Sequence, residues 1–329
     1  MWKKRTALLA VVVMAATTGA STPTDAVAGG RGESMYGDLN GDRVTDRATL
    51  LAVPPDRCGV LVQLGRRGGG YEGPRLYAYP ALGDPGVLQC PDMGTIVDLG
   101  RDGTVEIVAA WFYGRPPGVD EDLLVLRNFR PAGGFAGIFQ PSYLDTADFN
   151  GDGRRDVYQW TDQGEGFASY LNTAEGRLVP GPVRFRQFCT PDPDFDLADF
   201  HRGGGLGLSI AYLDLCDSGA AGVAVVGQDG TRVDLEHDPD GLQWWRQSVL
   251  DANGDRIPDV RTDNEATGEV THFLGLGDGR FVESPRAVAD RPTVSPTRPT
   301  VIRVLANDAA TRQARVSVTV QPRFGRAQV

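Results

Sequence analysis

Histidine is scarce in this chain of 329 residues: His201, His237 and His272 are its full complement. The sequence has no Gly-x-Ser-x-Gly elbow, no His-Glu-x-x-His pair and no P-loop phrase. Those gaps remove the usual marks of a serine hydrolase, a zinc protease and a nucleotide-phosphate site. No C-x-x-C spacing supports a zinc or redox centre. Long runs of helical periodicity are missing, and beyond the first residues no segment is apolar enough to span a bilayer. Positive charge is in deficit, with 33 Lys and Arg against 43 Asp and Glu and a net charge of −10. That balance argues against a nucleic-acid partner and against an anionic membrane surface.

What is present begins with a leader. Trp2-Lys3-Lys4-Arg5 is basic, Ala7 to Ala16 is apolar, and Ala26-Val27-Ala28 offers a small-residue cleavage site. Thr18-Gly19-Ala20 is an earlier option. Residues 1–28 are therefore expected to be a signal peptide, and the mature chain a secreted, extracellular protein without membrane insertion. Removing them takes away three basic residues and one acidic residue, leaving −12. Four cysteines remain: Cys58, Cys90, Cys189 and Cys216. An even number in an exported chain suggests disulfides. Of the three pairings, Cys58–Cys90 and Cys189–Cys216 are favoured because each joins near neighbours in sequence.

The abundant glycines (43) and prolines (22) are spread along the chain, as turns between short strands require. A nine-residue phrase recurs among them. It is Asp38-Leu-Asn-Gly-Asp-Arg-Val-Thr-Asp46, then Asp148-Phe-Asn-Gly-Asp-Gly-Arg-Arg-Asp156, then Asp251-Ala-Asn-Gly-Asp-Arg-Ile-Pro-Asp259. Two worn copies lie between, at Asp98 to Glu106 and at Asp199 to Gly207. The copies start 60, 50, 51 and 52 residues apart. Each is preceded by a short apolar run and followed by strand-like runs, such as Ala48 to Val53 and Gly59 to Leu64. The pattern predicts an all-β chain, a β-propeller of about five four-stranded blades.

The alternation within the phrase has a chemical reading. Calcium takes six to eight hard oxygen ligands, and alternate residues of a tight loop can aim theirs at one centre. Positions 1, 3 and 5 are Asp38, Asn40 and Asp42; Asp148, Asn150 and Asp152; and Asp251, Asn253 and Asp255. The carbonyls of Val44, Arg154 and Ile257 at position 7, with Asp46, Asp156 and Asp259 at position 9, complete three candidate sets. A single copy would pass as an Asx-rich turn capping its own backbone, but three copies with identical donor positions favour a metal. About three calcium ions are expected. Gly100 removes a ligand from the second copy. The fourth has His201, Gly203 and Gly207 at positions 3, 5 and 9.

The phrase D-x-N-G-D-x-x-x-D between the first and second strands of a unit resembles the FG-GAP/VCBS repeat family, whose loop integrin α-chain propellers share. The resemblance covers residues 34–285 and implies a β-propeller (residues 29–285) with calcium in the loops joining the first two strands of a blade. It also implies an interaction or cell-adhesion role. The expected function is a calcium-binding module for an extracellular protein or glycan, and the alternative is a propeller-borne lyase or hydrolase acting on polysaccharide. Asp120-Glu121-Asp122 offers an acid/base pair for that alternative, though a solvated turn explains it better. Trp244-Trp245, Trp111-Phe112-Tyr113 and Trp160 are candidates for a carbohydrate platform, with packing in the blade core expected for most of them. Residues 286–299 form a Pro/Thr linker. Residues 300–329 contain Val301-Ile-Arg-Val-Leu-Ala-Asn-Asp308 and Val316-Ser-Val-Thr-Val320. They form a short β-rich tail that resembles the opening of a bacterial Ig-like or cadherin-like repeat, too short for a whole sandwich.

Overall fold

The computed structural model describes residues 29–161, 166–186, 194–215, 218–284, 295, 298–304, 316–318, 320–323 and 326–329. The proposed leader, the Cys189–Cys216 pair and much of the Pro/Thr linker fall outside the described residues. Among the described residues, twenty strands make five four-stranded antiparallel sheets, each built from strands consecutive in sequence. Blade 1 holds β1 (Ser34–Gly37), β2 (Asp46–Val53), β3 (Arg57–Gln63) and β4 (Arg75–Pro80). Blade 2 holds β5 (Met93–Val97), β6 (Glu106–Ala110), β7 (Leu123–Arg127) and β8 (Arg130–Phe135). Blade 3 holds β9 (Tyr143–Ala147), β10 (Asp156–Trp160), β11 (Phe167–Asn172) and β12 (Leu178–Phe185). Blade 4 holds β13 (Asp194–Ala198), β14 (Gly207–Leu213), β15 (Ala221–Val226) and β16 (Arg232–Asp238). Blade 5 holds β17 (Trp245–Leu250), β18 (Asp259–Asn264), β19 (Val270–Gly275) and β20 (Phe281–Glu283). The all-β, five-bladed propeller expected from the repeat is the fold observed.

First strands stand beside one another: β1 beside β5, β5 beside β9, and β13 beside β17. A ring contact between Tyr143 and Phe195, 6.3 Å between centroids, links β9 to β13. Side chains also join the inner strands of blades 4 and 5. Asp194 accepts a hydrogen bond from Gln247 N (2.9 Å), and Asp196 accepts one from Val249 N (3.0 Å).

The core is stacked between blades rather than gathered at one centre. One apolar cluster joins blades 1 and 2, including Met35, Val60, Ile107 and Trp111. A second joins blades 2 and 3 through Val108, Leu144 and Val157. A third joins blades 3 and 4 through Phe149, Tyr158 and Ile210, and a fourth joins blades 4 and 5 through Ala211, Val223 and Val260. Each sheet thus buries its apolar side chains against the next one, which is why β6, β10 and β15 are buried at every position. Strands covered on both faces read in sequence as unbroken apolar runs, and Ala221–Val226 is such a run.

Cys58, in β3, is bonded to Cys90, which lies in the connection before β5. The bridge ties blade 1 to the entry of blade 2 and closes 32 residues of chain. Loop-closure entropy gives such a crosslink about 3–4 kcal/mol. A Cys58→Ala/Cys90→Ala double variant is expected to melt several degrees below the wild type, as read by circular dichroism. An unchanged melting temperature would show that the bridge adds nothing to the blade 1–blade 2 junction.

Candidate metal centres

In every blade the repeat phrase is the connection from the first strand to the second, so all copies lie on one face of the propeller. Positions 4 and 6 turn alike in all five copies, whether or not the candidate ligands are present. Position 4 has positive φ at Gly41, Gly151 and Gly254, and at Arg101 and Arg202 in the worn copies. Position 6 does so at Arg43, Gly103, Gly153, Gly204 and Arg256. Two left-handed residues two apart wind the chain around the first Asp. Asp38 Oδ1 accepts from Gly41 N (2.8 Å) and Asp42 N (3.1 Å), and its Oδ2 accepts from Arg43 N (2.8 Å). Asp148 and Asp251 repeat all three bonds. Asp98 and Asp199 in the worn copies each keep bonds from positions 5 and 6. The first Asp therefore folds the loop in all five blades, including the two whose candidate donor set is incomplete.

Positions 3 and 5 face each other across the turn. Asn40 Oδ1 accepts from Asp42 N (2.9 Å), and Asp42 Oδ1 accepts from Val44 N (2.8 Å). The same pair of bonds recurs at Asn150 and Asp152 and at Asn253 and Asp255. In the blade 3 loop, Asp152 also forms an ion pair with Arg154, whose Nε donates to Asn172 O (2.7 Å).

Position 9 differs in kind. Asp46, Asp156 and Asp259 are fully buried at the start of their second strands. Each carboxylate accepts two backbone N–H bonds, one from loop position 2 and one from the end of the third strand or just beyond it. The donors are Leu39 and Gly65 for Asp46, Phe149 and Asn172 for Asp156, and Ala252 and Gly275 for Asp259, all at 2.7 or 2.8 Å. Glu106 does the same work in blade 2, accepting from Leu99 N (3.1 Å) and from Arg127 Nε (2.7 Å). Burial pushes the Asp156 carboxyl up to about 6, and the neighbouring charges of Asp148 and Asp152 add to the rise. Asp46 is raised for the same reasons, burial first and then Asp42 and Asp38.

Among the described residues, no three His, Cys, Asp or Glu side chains form a group that holds a metal as they stand. The donor chemistry nevertheless suits a hard cation. Each intact loop offers only oxygen ligands. Oδ1 of the first Asp accepts two N–H bonds, but its Oδ2 and each oxygen of the ninth Asp accept one and keep a lone pair. The fit is best in blades 1 and 5, where no cation is paired with position 5, and is opposed in blade 3 by Arg154.

Connections between second and third strands, and from one blade to the next, lie on the opposite face. Exposed large side chains gather there: Tyr113 (62%), Trp244 (49%), Phe139 (48%), Leu215 (60%) and Leu242 (79%). The Arg31 guanidinium stands 4.3 Å from the centroid of Tyr113, and that of Arg115 stands 5.6 Å from Phe139. Gln140 Nε2 donates to Tyr113 O (3.0 Å), which brings the blade 2 and blade 3 connections together. Of the aromatics singled out in the sequence, Trp111 and Trp160 are core residues and Trp245 is half-buried, whereas Tyr113 and Trp244 are open. Asp122 is buried and paired with Arg115, and its Oδ2 accepts from Gly137 N (3.3 Å). His201 packs between loops, its ring 3.9 Å from Asp229.

No family model matches the chain, and no curated protein matches it. The FG-GAP/VCBS resemblance therefore rests on the loop phrase. Among solved structures, the chain is similar to a lectin from Agrocybe aegerita, described as recognising non-reducing terminal N-acetylglucosamine. The identity is 17%, over 77% of this chain and 79% of that one, with a TM-score of 0.35.

The two kinds of acidic residue should separate on mutation in the presence of a chelator. Asp156→Ala leaves two buried N–H donors unpaired, at about 1–3 kcal/mol each. It is expected to lower urea stability markedly even without metal. Asp152→Ala removes a half-buried turn bond and is expected to cost about 1 kcal/mol under the same conditions. Equal losses would show that position 9 has no separate structural role.

Proposed function

We propose that the chain is a secreted, calcium-stabilised binding module that presents the face opposite its Asp loops to an extracellular glycan. The observation that carries this reading is that Tyr113, Phe139 and Trp244 are exposed in connections of that one face. Exposed rings that keep a polar rim suit the apolar faces of sugar rings, with Arg and Gln for the hydroxyls. Arg31, Arg115 and Gln140 supply that rim beside Tyr113 and Phe139. A disulfide suits an oxidising compartment, and no described helix is long and apolar enough to cross a membrane.

The Asp loops hold the metal in this reading, through Asp38, Asn40, Asp42, the Val44 carbonyl and Asp46 in blade 1 and the corresponding residues of blades 3 and 5. A bound ion supplies positive charge to a cluster of like charges, and so stabilises the turn that joins the first two strands. It binds the folded loop and not the unfolded chain, so it adds about 2.7 kcal/mol at a hundredfold excess over its dissociation constant.

Two outcomes follow. A chelator should lower the melting temperature and added calcium should restore it; Asp255→Ala should reduce that recovery and Asp199→Ala should leave it intact. Indifference of the melt to chelator would overturn the metal assignment. On a glycan array, Tyr113→Ala and Trp244→Ala should abolish binding without changing the melting temperature. A protein ligand captured with no glycan signal, or binding unaffected by both variants, would overturn the glycan reading.

A further inference from the structure

Five blades closed into a ring need five apolar interfaces, and the described residues form four. Blade 5 packs on blade 4 through β17, and no comparable packing joins it to blade 1. Burial marks the same seam. In β2, Ala48 and Leu50 face blade 2 and are buried, whereas Thr49, Leu51 and Val53 on the other face are only partly covered. Thr49 pairs with Leu61 and Leu61 with Leu76, so the uncovered face runs across the whole sheet to Leu76, 49% exposed. On blade 5, Leu250, Leu274 and Val282 lie on the matching uncovered face, with Val282 42% exposed.

We propose that residues 286–329 of this same chain cover that seam, lying between blade 5 and blade 1 as a short sixth element. The segment follows β20 directly, and its 44 residues approach the 50–52 residues that separate the later blades. Its charge is opposite to that of the body. It carries eight arginines and two aspartates, a net +6, while residues 29–285 carry −18. It also holds two strand-type runs, Val301–Ala306 and Val316–Val320, and lacks the Asp loop phrase. Val301 and Val320 are 90% and 82% exposed, so the segment has apolar side chains to bury and the seam has apolar side chains to cover. At that length it cannot form a core of its own, and strand edges left open need a partner.

Hydroxyl-radical footprinting of the full chain, read by mass spectrometry, tests this directly. Leu61 and Leu76 should be oxidised severalfold more slowly in the wild type than in Val301→Asp/Val320→Asp, with Arg303→Glu/Arg326→Glu between the two. Ile107, in the interior of blade 2, should remain unmodified in all three and so report an intact propeller. Equal oxidation of Leu61 and Leu76 in wild type and both variants would overturn the proposal. So would protection that disappears on dilution of a dimer, since a second copy would then be the occupant.

Discussion

A buried carboxylate at the start of the second strand ties the local structure of four of the five blades together. In blades 1, 3 and 5 the Asp that opens the second strand reaches back to the loop it has just left and across to the end of the third strand. Its two oxygens bind two backbone N–H groups that face no strand partner. A buried N–H without an acceptor costs about 1–3 kcal/mol, so the acid is not optional once the loop is wound this way. Blade 2 keeps the arrangement with Glu106, whose longer side chain reaches Leu99 N and takes Arg127 as its second donor. Blade 4 has Gly207 there, and its loop is packed against the blade 3 loop instead, with Leu206 N donating to Asp148 O at 3.2 Å.

The same geometry links stability to the proposed metal. The first Asp is committed to folding the turn in all five blades, and the ninth is committed to joining three strands. Positions 3 and 5 are left with the least structural duty, and both worn copies depart from the phrase at position 3. Gly100 and His201 stand at position 3, and Gly203 stands at position 5. A loop that folds without its ion can lose the ion and keep its blade. That accounts for five similar turns around three intact donor sets.

Much of this was legible in the sequence, because the repeat phrase has a fixed register to the strands. Ala48–Val53 and Gly59–Leu64, read as strand-like runs, fall within β2 and, apart from Leu64, within β3. The favoured Cys58–Cys90 pairing is the one that forms. The double role of Asp46, Asp156 and Asp259 was not legible, since a ligand and a buried strut use the same residue type at the same position. Nor could the sequence separate Trp111 from Tyr113, two residues apart in one aromatic run: one enters the blade 1–blade 2 core and the other lies in a turn. The uncovered faces of blades 1 and 5 leave only a faint trace. Leu51 and Leu61 look like core residues, but among the described residues no blade packs on them and they are only partly covered.

The central claim is that a repeated oxygen cage sits on one face of this propeller and takes calcium where its donors are intact. A crystal structure of the protein grown with calcium, with an anomalous-difference map, addresses it most directly. Peaks are expected within the Asp38–Asp46, Asp148–Asp156 and Asp251–Asp259 loops, weakest in the second of these, and none at Asp98–Glu106 or Asp199–Gly207. Three loops holding only water at saturating calcium, with their carboxylates still turned to their own backbone, would contradict it.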